Sequence, residues 1–208
     1  MEYQEVLRRR RMVRNYSGEP VSADVLERVV QAARKAPSAG FTQGTAFLII
    51  TDPWLRTAIA NLCDEPEYVA AGFDPWISKA PAHIVVCISE NAYHERYREP
   101  DKVDGAGNEI EWPVPFWWID AGAALMLVLL TAVDEGLAAG FLGTDAVDLQ
   151  RLLEIPAAMV PIGIVTVGHP APDRRSNSLK RGWRPDDQVV HWQKWGSGPP
   201  GDGVTNPL

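Results

Sequence analysis

The chain has 208 residues, 46% of them hydrophobic and 23% charged, with a net charge of -7 and a pI near 5.1. That is enough apolar material for one sizeable core. The acidic balance argues against a nucleic-acid surface, which draws on many distributed Lys and Arg contacts to phosphate.

The first predicted element is a short helix, because Tyr3, Val6 and Leu7 recur at helical spacing. At its end the stretch RRRMVR, residues 9–14, places four arginines on an otherwise acidic chain. Read alone, it is either a solvated basic turn or a seat for one small anion. Ser22 is the expected cap of a second helix, with Val25, Leu26, Val29, Val30 and Ala33 on one face and Pro37 as its stop. A glycine-punctuated loop, PSAGFTQG, feeds TAFLIIT, whose β-branched and aromatic content predicts a buried strand. Leu55, Ala58, Ile59 and Leu62 mark the next helix, residues 64–80 read as partly helical, and AHIVVCI (82–88) as the second strand.

Residues 91–115 turn polar and irregular before the aromatic cluster WPVPFWW. A long helix from about Phe116 to Glu135 follows, apolar on nearly every side and therefore expected to be buried on most of its circumference. A monomer of this size has difficulty covering such a helix, so part of it is expected to meet a second subunit. Its uncharged run, Ala121–Val133, is too short to span a bilayer. GLAAGFLG reads as a turn and strand, DAVDLQRLL as a helix capped by Asp145, and PIGIVTVG as a strand. The expected organisation is one domain over 1–195, with 91–115 as a variable segment and 196–208 as a mobile tail. Strands separated by helices suit a layered α/β or α+β domain.

Several chemistries are missing. There is no GxGxxG after a strand, no GxxxxGK[ST], no HExxH and no GxSxG, and His83, His94, His169 and His191 show no ligand-like pairing. Cys63 and Cys87 form no CxxC, reading as free thiols in a reducing cytosol. The charged N-terminus carries no apolar secretion signal, and a cytoplasmic location without membrane attachment is the expectation.

Four segments in order carry a resemblance: RRRMVRNY, then AARKAPSAGFTQGTAFLIIT, then DAGAALMLVLLTAVDEGLAAGFLG, and finally RGWRPDDQVVHW. Together they resemble the nitroreductase family of FMN-dependent oxidoreductases, over most of the chain outside 64–115. The resemblance implies an α+β fold with a central, mainly antiparallel sheet flanked by helices, in an intertwined homodimer with two FMN sites. It implies that Arg10 and Arg14 meet the flavin phosphate and ring edge, with Arg11 and Met12 on the connecting backbone. Pro37, Ser38, Ala39, Phe41 and Gln43 would lie beside the flavin of the partner subunit, and the backbone of Leu142 and Gly143 would face flavin N5 and O4. Arg184, with Lys180 or Arg181, would complete the phosphate site, while Phe116 and Trp117 would cover a flat substrate or simply belong to the core. The physical fit is independent of the name: FMN carries a phosphate and, when reduced, an anionic ring edge, and arginine offers a permanent charge on a planar fork.

The sequence departs from the family pattern at Met12, Phe41, Gly44 and Thr45, where Ser, Asn and Pro-Trp are common. A weaker or rearranged FMN site is the implied consequence. The leading functional expectation is hydride transfer from NADH or NADPH through FMN to a nitroaromatic or quinone in a ping-pong cycle. The alternatives are another reaction on the same scaffold, such as reductive dehalogenation, dehydrogenation or deazaflavin-linked redox, and a non-catalytic flavin-binding protein.

Overall fold

The computed structural model describes residues 1–174 and 176–200. It divides into a first compact unit, Met1–Asp173, and a second that begins at Arg174. The first unit holds helices α1 (Tyr3–Arg9), α2 (Ala23–Ala33), α3 (Pro53–Leu62), α4 (Glu65–Ala70), α5 (Trp76–Lys79), α6 (Glu90–Arg96), α7 (Phe116–Asp134) and α8 (Ala146–Leu153). Its strands are β1 (Thr45–Ile50), β2 (Ala82–Ile88), β3 (Ala138–Leu142) and β4 (Val160–Gly168).

The strands form one sheet in the order β1-β2-β4-β3, with every pairing antiparallel. This decides the open choice of class as α+β. Both faces of the sheet are covered. Val85, Cys87 and Ile164 pack on one side with Ile59 of α3 and Leu149 of α8. Ile84, Val86, Val165 and Val167 pack on the other with Leu26 and Val29 of α2 and Val128 and Leu129 of α7. Central β2 is therefore buried at every residue, as its unbroken apolar run foretold.

Four expectations are corrected. TAFLIIT does form β1, but as an edge strand that is mostly half-buried, because only β2 pairs with it. Ser22 stands at the start of α2, yet its side chain makes no capping hydrogen bond. The stretch read as irregular from Asn91 opens with helix α6, capped by Ser89, whose hydroxyl accepts from the Ala92 N–H at 3.2 Å. Buried Tyr93 fastens that helix to the core, a tertiary effect that composition does not display. Lastly, α7 is not buried on most of its circumference in the single chain. Sheet and α2 cover one side, while Trp118, Ile119, Gly122 and Met126 leave an exposed stripe. By length and composition α7 could cross a membrane, but here Ala124, Val128 and Ala132 are core residues.

Asp145 caps α8 as expected, accepting from the Val147 and Asp148 amides. Cys63 and Cys87 are free thiols. The second unit contains short 3₁₀ turns at Asn177–Arg181 and Asp186–Gln188. Trp183 and Trp195 within it are 99% and 89% exposed. Of the predicted tail, residues 201–208 lie outside the described residues.

One core residue gives a pH prediction. His83 on β2 is fully buried, its Nε2 bonded to the Ile77 carbonyl at 2.8 Å and its Nδ1 without a partner. Burial pushes its pKa down to about 4. Between pH 6.5 and pH 4 the unfolded chain therefore binds a proton that the folded chain refuses. Stability conferred by the neutral ring is complete above pH 6.5 and falls by about 3 kcal/mol as the pH drops to 4. Urea unfolding at pH 7 and pH 5 checks this, and His83→Gln should flatten that part of the slope.

Candidate functional site

The arginine segment leaves α1 in an extended path along the outer edge of β3. Met12 forms an isolated parallel bridge with Ala139, and the Val13 N–H donates to the Ala139 carbonyl at 3.1 Å. The approach is close enough to require glycine next door. A Cβ on Gly140 would sit 2.5 Å from the Val13 carbonyl oxygen. Val13 is buried, which turns its neighbours Met12 and Arg14 away from the core.

Asp173 divides the arginines by role. Its Oδ2 accepts from the Arg11 guanidinium at 2.8 Å and from the Arg14 backbone N–H at 3.1 Å. Arg11 is thus neutralised in place. Among the described residues no carboxylate lies within ion-pair distance of Arg10 or Arg14, and the Arg14 guanidinium lies over the Trp76 ring, 5.9 Å from its centre. Two cations are left for which the described residues supply no carboxylate. Beyond the bridge to Met12, β3 has no strand partner on its outer side, and it ends at Leu142 with open space around Gly143.

The PSAGFTQG loop precedes β1. Ala39–Phe41 form a 3₁₀ turn, the Ser38 hydroxyl accepts from the Gln43 N–H at 3.0 Å, and the Thr42 hydroxyl donates to the Ala39 carbonyl at 2.6 Å. Phe41 is 78% exposed, and both it and Gln43 hold left-handed backbones with φ of 56° and 55°. Pro37, Ser38 and Gln43 line a polar cavity with Arg34, Thr45 and Asp120.

The register fixes how these pieces relate. Thr45 pairs with Ile88 and Ile88 with Val160, so the loop lies at that end of the sheet; Leu142 pairs with Ile164, so β3 runs toward the same end but stops part-way along it. The loop and β3 lie at opposite edges. With β2 and β4 between them, β1 and β3 are about 14 Å apart at ordinary strand spacing. Met12 is thus seated beside Ala139 on one edge, with Arg10 and Arg11 leading in from the end of α1, Arg14 just beyond, and Leu142 and Gly143 at the far end of β3, while Pro37, Ser38, Ala39, Phe41 and Gln43 lie at the other edge. Arg181 and Arg184 belong to the second unit, where the Arg184 guanidinium donates to the Gln188 carbonyl at 3.2 Å.

Aromatic side chains gather at the same end of the sheet. Trp117 is buried with Ile88, Tyr93 and Ala121, and its indole Nε1 has no partner among the described residues. Trp112 contacts Tyr97, Phe116 and Trp117, with centroids 4.3 to 6.0 Å apart. The variable segment is tied down by ions: Glu109 accepts from Trp112 Nε1 at 2.8 Å, pairs with Arg98 at 3.0 Å and bonds His94. That carboxylate raises the pKa of His94, against a smaller desolvation effect. Reading the sequence overlooked Asp120, Tyr93 and Asp173. A lone acid in an apolar helix is the one signal that pointed to Asp120.

The chain is thus an α+β domain with a long apolar helix packed on one face of an antiparallel sheet and an arginine segment against an edge strand. The model of the nitroreductase family matches residues 7–169, and the chain belongs to that family. It is 30% identical over 191 residues to an FMN reductase [NAD(P)H] of Bacillus subtilis (strain 168), covering 89% of this chain and 71% of that protein. Over 195 residues it is 25% identical to an NADPH-dependent oxidoreductase of Staphylococcus aureus (strain USA300), covering 91% and 72%. Among solved structures, NfrA1 of B. megaterium superposes with a TM-score of 0.72 at 21% identity, covering 96% of this chain and 76% of that one. The nitroreductase family protein from Streptococcus pneumoniae TIGR4 superposes with a TM-score of 0.71 at 17% identity, covering 92% and 100%. These similarities confirm the expected fold.

Proposed function

We propose that the chain is an FMN-dependent NAD(P)H oxidoreductase, cytoplasmic and homodimeric, that reduces a flat acceptor such as a nitroaromatic or quinone. The observation that carries this is the pair of arginines, Arg10 and Arg14, left without carboxylates beside the free edge of β3. That donor set fits FMN: a fixed positive charge suits its phosphate and ring edge, and backbone N–H groups at Leu142 and Gly143 suit a ring nitrogen without adding a titrating group. Family membership and the FMN reductase relative support the same reading.

FMN, held by Arg10 and Arg14 and by the backbone at Leu142 and Gly143, would supply hydride-transfer chemistry for a ping-pong exchange between a reduced nicotinamide and the acceptor. The chain's own work is positional. Arg10 and Arg14 hold negative charge, with Arg11 and Met12 as the backbone that spaces them and Asp173 fixing the spacing through Arg11. Half-buried Phe116, against Trp112, helps to keep water from the acceptor. Solvent provides protons, so no acid-base side chain is needed.

The separation of the two halves across the sheet supports the homodimer. The loop 37–43 and the arginine edge of one chain stand apart, and a second copy can bring its loop to the arginine edge of the first. The exposed stripe on α7 supplies apolar surface for such a contact.

Anaerobic titration of the FMN-loaded protein tests the donor assignment. NADH or NADPH should bleach the visible flavin absorbance stoichiometrically, and an oxidised spectrum persisting with both would overturn it.

A further inference from the structure

Helix α7 carries two charged residues, Asp120 and the terminal Asp134, in an otherwise uncharged sequence. Asp120 is 7% exposed and makes no ion pair with any described residue. Burying a carboxylate without a cation is costly, and an apolar side chain would suit this helix better. What the carboxylate does instead is local. Its Oδ2 accepts from the Ala39 backbone N–H at 2.8 Å and from the Tyr93 hydroxyl at 2.7 Å.

Both donors belong to one construction. Ala39 opens the 3₁₀ turn of the PSAGFTQG loop, and Tyr93 stands on α6, which grips the same loop elsewhere. The Arg96 guanidinium donates to the Gly40 carbonyl at 2.9 Å. A Cβ on Gly40 would meet the Tyr97 ring at 2.8 Å, and one on Gly44 would meet the Tyr93 ring at 2.6 Å. The loop is thus pressed against α6 at two glycines and pegged to α7 at Ala39. Such holding is needed, because left-handed backbones at Phe41 and Gln43 cost about 1–3 kcal/mol each and persist only where the surroundings impose them. Desolvation and the Asp120 carboxylate raise the pKa of Tyr93, so its hydroxyl stays a donor well into the alkaline range. Asp120 also lines the polar cavity of about 130 Å³ beside Ser38, Gln43 and Thr45.

We propose that Asp120, held by Tyr93, is a positioning residue that sets the conformation of loop 37–43 and through it the affinity and surroundings of the flavin. This rests on the FMN reading above. Because Tyr93 and Arg96 stand on α6 and Tyr97 at its C-cap, that helix and the flavin-side loop are held together at three points.

The test uses the full-length protein with FMN, through Asp120→Asn, Asp120→Leu and Tyr93→Phe. Both bonds land on a single oxygen, which the asparagine carbonyl can replace, so Asp120→Asn should keep the FMN Kd within about threefold of the parent and leave the bound-flavin spectrum in place. Asp120→Leu removes both bonds and should raise the Kd about tenfold or more, with the spectrum moving toward that of free FMN. Tyr93→Phe should fall between. A residue that merely supports the fold would lower Tm and leave the Kd and spectrum of the folded fraction unchanged, and that result for Asp120→Leu and Tyr93→Phe overturns the proposal. Loss in Asp120→Asn equal to that in Asp120→Leu also overturns it, since charge rather than the bonds would then matter. Should Asp120→Leu fail to fold, Tyr93→Phe decides alone: an unchanged Kd and spectrum overturn the proposal. If the parent protein takes up no FMN, it is the flavin reading that fails. The clamp is then judged by hydrogen exchange at the Ala39 amide, which should be protected in the parent and Asp120→Asn and exposed in Tyr93→Phe and Asp120→Leu, equal exchange in all four overturning it.

Discussion

Arg10→Ala and Arg14→Ala are each expected to weaken FMN binding by about 10- to 100-fold, the loss that follows removal of one hydrogen bond to a charged group. Together they should abolish retention of the flavin through purification. Arg11→Ala is the contrasting case. Its guanidinium is already paired with Asp173, so removing it should change FMN affinity only a few-fold, through the spacing of its neighbours. Fluorescence titration of apoprotein with FMN measures all three. Equal losses at Arg10, Arg11 and Arg14 would mean that general basicity, and not two unpaired cations, holds the phosphate. No loss at any of them would remove the arginine edge from the site.

Met126→Asp is expected to convert a dimer into a monomer and to lower FMN affinity about 100-fold in the same step. Met126 is 45% exposed in the single chain, so a carboxylate there costs the isolated fold little. At an apolar interface the same charge would be buried without a partner, a penalty of several kcal/mol. Ile119→Asp, about two turns away on the same stripe and 55% exposed, should behave alike. Light scattering gives the mass, and flavin titration of the same samples gives the affinity. A monomer that still binds FMN as the parent does would show that one chain holds the whole site. A dimer unaffected by either change would place the interface elsewhere.

The two histidines with shifted pKa values act in opposite directions. His83 is held neutral by burial, so its contribution is lost as the pH falls below 6.5. His94 has its charged form favoured by Glu109 and Glu90, so its contribution is present below its ordinary pKa and fades as the pH rises through the raised value. Acid therefore strains the sheet while alkali loosens the variable segment.

Much of the fold was legible from local pattern. β2, β4 and α8 are where apolar runs, β-branched residues and the Asp145 cap put them, because each is dictated by neighbours in sequence. The arginine segment was visible as charge, and the loop as glycine punctuation. α6 was not, since the polar composition around it hides a helix whose stability comes from Tyr93 packing against Trp117. Nor was Asp120, whose meaning depends on an amide 81 residues away.

The amino-acid order by itself determined most element types, α6 and the choice between α/β and α+β excepted, and the presence of a cationic stretch on an acidic chain. Only the tertiary structure decided which arginine is already neutralised, that loop and arginine edge stand on opposite sides of one sheet, and that a buried carboxylate pegs the loop. The reason is physical: periodicity and capping are short-range effects written within a few residues, whereas charge pairing and burial depend on partners that meet only when distant segments pack.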